Sequence, residues 1–265
     1  MDLKRAAMST RPTLSPIRGA LAAPSALLAL AAAALSAQEA PPTEIPVGVP
    51  THETLEDPFN RAFKIDELEW LDADDATDLR WDVDMWAGYS LNKLTIRTEG
   101  EQSDGNTERA ELQLLWAHSV ARWWDVVAGT RTDFAPGSDK SWAAFGVQGL
   151  APYRFDLEAT AFLSDGGDSA ARVEADYDLL ITSRLILQPQ IELNWYGQSD
   201  SSRGYGAGLS SGEAALRLRY EIRREVAPYV GLVHERLWGE TADLAQAAGR
   251  NPDDTSLVAG IRLRF

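Results

Sequence analysis

The sequence predicts an all-β fold: an antiparallel up-and-down transmembrane β-barrel of about ten strands (range 8–12), preceded by a disordered acidic amino-terminal segment. Three observations predict it. Stretches of about ten residues alternate apolar with charged side chains, the length a tilted strand needs to cross a bilayer. Their connections alternate between minimal turns and longer polar loops. The charged face carries both signs in hairpin after hairpin, which fits a polar lumen inside an apolar band better than a soluble barrel around an apolar core.

Residues 1–37 read as a secretory signal peptide. Lys4, Arg5, Arg11 and Arg18 form a basic leader, an Ala/Leu run spans 20–35, and Ser36 and Ala37 supply small residues for cleavage. Its removal takes away four basic residues and one acid, so the formal charge of −15 becomes −18. Such acidity argues against nucleic acid as a partner and favours cationic ligands or plain solubility. The chain has no cysteine, which excludes disulfides and zinc–thiolate sites. Residues 38–58 are Pro/Glu-rich and aperiodic, a disordered tether. Residues 59–83 continue a run of twelve carboxylates between Glu53 and Asp84, read as an acidic periplasmic segment with one short strand. Such a run is either a solvated face or an electronegative funnel for cations.

The barrel is expected over 84–265, with strands near 84–99, 108–120, 122–133, 141–150, 153–164, 170–181, 184–196, 209–221, 226–238 and 256–265. The hairpin from Arg172 to Tyr196 shows the pattern best. Val173, Ala175, Tyr177 and Leu179 alternate with Arg172, Glu174, Asp176 and Asp178, and the return arm repeats the scheme. The minimal turns after alternate strands mark the periplasmic rim, and aromatics such as Trp86, Trp116, Trp123 and Tyr153 gather at strand ends as interfacial girdles.

The lumen is expected to hold Glu111, Asp125, Arg131, Glu158, Glu174, Glu192, Arg217 and Arg219, together with Arg109, Arg154, Arg172, Arg184 and other charges of that phase. Inside a narrow barrel these must pair across the lumen, because an isolated buried ion is very costly. Soft or borderline metal ligands are scarce: His52, His118, His234 and Met85 are the histidines and the methionine downstream of the leader. His118 shares the phase of Leu112 and Leu114 and should point outward. A two-residue turn at Arg223–Arg224 would set His234 opposite Glu213, facing inward near the outer rim. Met85, His234, Glu213 and His52 are therefore the candidate metal ligands, a set too sparse to select one metal by itself. No GxSxG, Walker A or HExxH occurs, so no catalytic residue is assigned and a non-enzyme is expected.

Longer motifs carry a resemblance. WWDVVAGTRTDF, WAAFGVQGLAPYRFDLEATAFLSDGG, ARVEADYDLLITSRLILQPQIELN, AALRLRYEIRREVAPYVG and GIRLRF, with KIDELEW and WAGYSLNKLTIRTEGE toward the amino end, resemble the copper resistance protein B family over roughly residues 59–265. The terminal Phe265 after alternating apolar residues is similar to the carboxy-terminal assembly signal of outer-membrane proteins. The resemblance implies a non-enzymatic barrel in the bacterial outer membrane, exported through a cleaved signal peptide and bounded by outer-membrane lipid. It also implies copper ions as ligand and periplasmic copper-resistance proteins as partners. Many family members carry a Met/His-rich segment before the barrel; here residues 38–58 offer His52 and no methionine. The alternative from another class is a general cation-preferring channel or structural barrel without metal specificity.

Overall fold

The structure is a computed structural model and describes residues 57–73, 76–103 and 106–265. The residues read as a signal peptide, those read as a tether up to residue 56, and His52 lie outside the described residues. Strands β1 (Asn60–Ala73), β2 (Ala76–Gly88), β3 (Asn92–Ser103), β4 (Asn106–Ala121), β5 (Trp124–Ala135), β6 (Lys140–Ala151) and β7 (Phe155–Ser164) follow one another as antiparallel neighbours. Then come β8 (Ser169–Asp176), the two-residue β9 (Leu179–Leu180), β10 (Leu185–Tyr196), β11 (Gly208–Tyr220), β12 (Val226–Leu237) and β13 (Asp253–Arg264). One short helix, α1 (Gly239–Ala247), lies in the connection between β12 and β13.

β8 and β9 are two pieces of one stave, because both pair with β10 in a single register (Gln190 with Asp176, Leu187 with Leu179). The break falls opposite Pro189, whose carbonyl accepts from Tyr177 N at 3.1 Å but which has no N–H to return. The barrel therefore has twelve staves, at the top of the expected range. It closes where β1 pairs with β13: Phe63 and Phe265 exchange both backbone hydrogen bonds at 2.8 Å. Closure leaves no unpaired edge in the lipid.

The two extra staves correct the domain boundaries expected above. Residues 59–83 are not a periplasmic segment beside the barrel; they form β1 and most of β2. The expected first strand at 84–99 is the end of β2, the turn Tyr89–Leu91 and the start of β3. The physical reason is a register shift between Ile65 and Glu67, which places Lys64, Asp66 and Glu67 all against the lumen. A bulge breaks the period of two that announces a strand.

Outside the wall, Leu94, Leu112, Leu114, Phe145, Leu163, Ile191, Val230, Leu232 and Leu257 are exposed and form the lipid-facing band. Inside, Leu115, Trp142, Ala144 and Phe162 pack into an apolar cluster on β4 to β7, which narrows the lumen from one side. The two long connections, β10 to β11 and β12 to β13, share one rim with the two-residue links β1 to β2 and β3 to β4, so the long loop expected at EQSDGN is mostly strand. Every connection at the other rim, the short-turn rim, has two to five residues. Gly100 is buried under Trp81 of the neighbouring strand, and an added Cβ would stand 2.1 Å from the indole. Gly100→Ala is expected to destabilise the barrel by about 1–3 kcal/mol through overpacking, seen as a lower temperature for loss of the compact band in heat-modifiability gels.

Candidate cation path through the lumen

Every second residue of a strand faces the lumen, and direct cross-strand pairing then aligns inward side chains in rows around the wall. Two of these rows are carboxylates. On β1 to β5, Glu67 pairs with Asp82, Asp82 with Glu99, Glu99 with Glu111, and Glu111 with Asp133. On β7 to β13, Glu158 pairs with Glu174, Glu174 with Glu192, Glu192 with Glu213, Glu213 with Glu235, and Glu235 with Asp254. Like charges set directly opposite repel one another and destabilise a sheet, so packing alone does not account for the rows.

Arginines answer them. Arg172 reaches Glu99 at 2.8 Å, Glu111 at 2.9 Å and Glu192 at 3.6 Å. Arg131 pairs with Glu111 at 2.9 Å and Asp133 at 2.6 Å while its guanidinium lies 4.8 Å from the Phe162 ring centroid. Arg217 pairs with Glu69 at 2.6 Å and Glu67 at 2.9 Å. Arg80 meets Glu213 at 2.7 Å, and Arg97 clasps Glu158 with two donors at 2.5 and 3.0 Å. The answer is incomplete: among the described residues Asp82, Glu174 and Glu235 form no ion pair, and Glu174 accepts only from Gln190 at 2.7 Å.

The ion pairs divide the lumen. A cavity of about 570 Å³ lies on the short-turn side, lined by eleven carboxylates against eight cationic side chains. A second, of about 770 Å³, lies on the long-loop side with seven against five. Between them is a void of about 10 Å³ whose walls include Glu99, Glu158 and Glu174 from the first cavity and Arg172 from the second. That is room for about one water molecule. Both rows step from the first cavity to the second: Glu67, Asp82 and Glu99 line one and Glu111 and Asp133 the other; Glu158 and Glu174 line one and Glu235 and Asp254 the other.

The outer cavity is roofed by the loop between β10 and β11. Tyr205 stacks on Tyr196 at 3.8 Å, and its hydroxyl accepts from Lys140 Nζ at 2.8 Å. Lys140 also pairs with Asp168 at 2.8 Å. Burial pushes the Tyr205 phenol up, while donation from Ser202 holds the Asp200 carboxyl below the usual carboxylate range.

Comparison with known proteins gives the site its context. The family model of the copper resistance protein B precursor (CopB) matches residues 59–265. The chain belongs to the copper resistance protein B family. It is 51% identical over 214 residues to the copper resistance protein B homolog of Pseudomonas syringae pv. tomato, covering 81% of this chain and 73% of that protein. It is 47% identical over 214 residues to copper resistance protein B of Escherichia coli, covering 81% and 72%. Among solved structures, the NanC porin superposes with a TM-score of 0.51 at 12% identity, covering 78% of this chain and all of that one, a likeness of fold. Family membership supports a role in copper resistance, and the fold is that of an outer-membrane barrel.

Against that role, the expected ligand set does not assemble. Glu213 faces the lumen but is held by Arg80. His234 lies opposite Ala214, not Glu213, which faces Glu235 instead. The turn between β11 and β12 runs Glu221–Glu225 with a bridge between Arg223 and Val226, so the register is one residue away from the two-residue turn expected. A one-residue slip moves a side chain to the other face, and His234 stands half-buried on the outer wall, bonded to Thr255 at 2.8 Å. Met85 likewise points outward between Phe63 and Ile96, because Asp84 beside it faces in. Arg154 and Arg184, expected inside, sit exposed in turns. His118 faces outward as expected, stacked on Trp116.

The eight lumen charges do face inward. Glu111, Arg131, Glu158, Glu192 and Arg217 join the pairs above, Asp125 meets Lys93 at 3.2 Å, and Arg219 pairs with Asp178. What the sequence reading missed is the contribution of the first staves: Glu67, Glu69, Arg80, Asp82, Arg97 and Glu99. Among the described residues no three His, Cys, Asp or Glu side chains are grouped to hold a metal ion. A Met85→Ala/His234→Ala double variant is accordingly expected to match the parent barrel in copper flux and copper affinity, measured in liposomes.

Proposed function

We propose that this barrel is a non-enzymatic conduit of the bacterial outer membrane that passes copper ions between periplasm and exterior, with periplasmic copper-resistance proteins as its partners. The observation that carries the reading is the pair of carboxylate rows joining the two cavities across an arginine-held constriction. Successive single carboxylates attract a cation without chelating it, and conduction needs sites weak and numerous enough for an ion to leave. The excess of carboxylates in both cavities favours cations over anions. Family membership supports copper as the cargo.

The lumen offers oxygen donors, and oxygen ligands do not favour copper over harder divalent ions as thiolate, thioether or imidazole would. That observation favours a second reading, a cation-preferring channel without metal specificity. Uptake of copper and magnesium into liposomes, with and without Asp82→Asn/Glu174→Gln, separates the two. Copper flux exceeding magnesium flux and falling in the variant supports the first reading. Equal fluxes that fall together support the second, and fluxes untouched by the variant would remove the carboxylate rows from either account. The same variant relieves like-charge contacts and should be more stable by roughly 0.2–1 kcal/mol per contact.

A further inference from the structure

We propose that the short-turn rim is a binding surface for anionic phospholipid headgroups of the inner leaflet. The proposal rests on the barrel spanning the membrane with its short turns on the periplasmic side, and not on what passes through the lumen. Arg61, Arg122, Arg154, Arg184, Arg223 and Arg224 are all exposed at this rim, and none of them forms an ion pair among the described residues. Four of the five turns at this rim carry at least one of them, and the fifth, Tyr89–Leu91, carries none. Among the described residues the turns of this rim carry two acids, Glu221 and Glu225, and Asp57 beside them is taken up by the backbone and hydroxyl of Ser90.

A chain with 40 acids and 25 basic residues has no compositional reason to gather unpaired arginines at one end. The opposite rim is acidic on balance, with Asp139, Asp165, Asp168, Asp200, Glu240 and Asp243 in its described loops against Arg203 and Arg250. Arginine at a lipid surface recognises phosphate through its planar donor fork.

Two further features favour lipid over a soluble acidic protein. The arginines encircle the rim, whereas a docked protein would meet one sector. They also alternate with apolar side chains at interface depth: Arg122 lies 5.1 Å from the Trp123 ring centroid, and Tyr153, Ile181, Tyr220 and Ile222 are exposed beside the others. Tyr153 and Arg154 both adopt left-handed backbone conformations, with φ of 66° and 70°. Non-glycine residues rarely take that region, and both side chains are exposed there, Tyr153 at 86%.

Native mass spectrometry of the full barrel, released from vesicles of equimolar phosphatidylglycerol and phosphatidylcholine, tests the proposal. The parent barrel should retain phosphatidylglycerol in at least about fivefold excess, the factor expected from one arginine at an anionic surface. R122Q/R154Q/R184Q/R223Q/R224Q should abolish the excess, and the matching lysine variant should restore part of it. Heat-modifiability gels establish that each variant is folded. Arg236→Gln at the opposite rim should leave the excess intact. Equal retention in parent and glutamine variant, or loss with Arg236→Gln alone, overturns the proposal. So does a rim that captures a soluble polyglutamate peptide while showing no preference between the two lipids.

Discussion

Replacing Arg217 with methionine is expected to lower the stability of the folded barrel by about 3–5 kcal/mol, the cost of leaving a buried charge without its partner. Arg217 is the common counter-ion of Glu67 and Glu69, and Glu69 is fully buried at 0% exposure. Without the guanidinium, Glu67 and the fully buried Glu69 are left side by side with no ion-pair partner among the described residues. The cost should therefore be largely recovered when Glu67→Gln and Glu69→Gln are added, since a neutral network of similar shape leaves no orphan charge. Urea unfolding in detergent or lipid, followed by tryptophan fluorescence, measures both. If the triple variant proves no more stable than Arg217→Met, the loss reflects packing and not charge.

Arg172→Ala is expected to widen the narrowest point of the lumen and raise its conductance. Its guanidinium holds Glu99 and Glu111 at the void of about 10 Å³ that separates the cavities. Removing it joins the cavities and also removes positive charge from the narrowest point. Glu111 keeps Arg131, and Glu192 keeps a hydrogen bond from Asn194 at 2.7 Å, so the wall remains held by other contacts. In planar bilayers the variant should show stepwise currents well above those of the parent barrel. Its reversal potential in a potassium chloride gradient should shift toward that of potassium. Unchanged conductance would locate the constriction elsewhere.

The fold was legible where alternation is unbroken. From β4 onward, Leu112, Leu114 and Trp116 against Glu111 and Gln113, or Val173 and Ala175 against Arg172 and Glu174, show both faces directly, and the inward charges follow from phase alone. It failed at β1 and β2. There the bulge beside Asp66 puts neighbouring polar residues on one side of the wall, and the acid count resembles a solvated run. The same local rule explains His234. Its face depended on how many residues make the turn after β11, and Arg223–Arg224 gave no signal that five residues rather than two were used. The carboxylate rows needed both strand phase and cross-strand register, and a single strand states only the first.

The pairing of Phe63 with Phe265 across the seam has a kinetic consequence. β1 finds its partner on one side almost at once, in β2, but its other neighbour is separated from it by nearly the whole barrel sequence. Contacts so distant along the chain are slow to form. A nascent polypeptide would therefore wait with a bare strand until β13 arrives, and an unpaired strand in lipid or water invites aggregation. Delivery to the membrane must keep the whole molecule unfolded until then, so insertion should be concerted across all staves and should not proceed hairpin by hairpin.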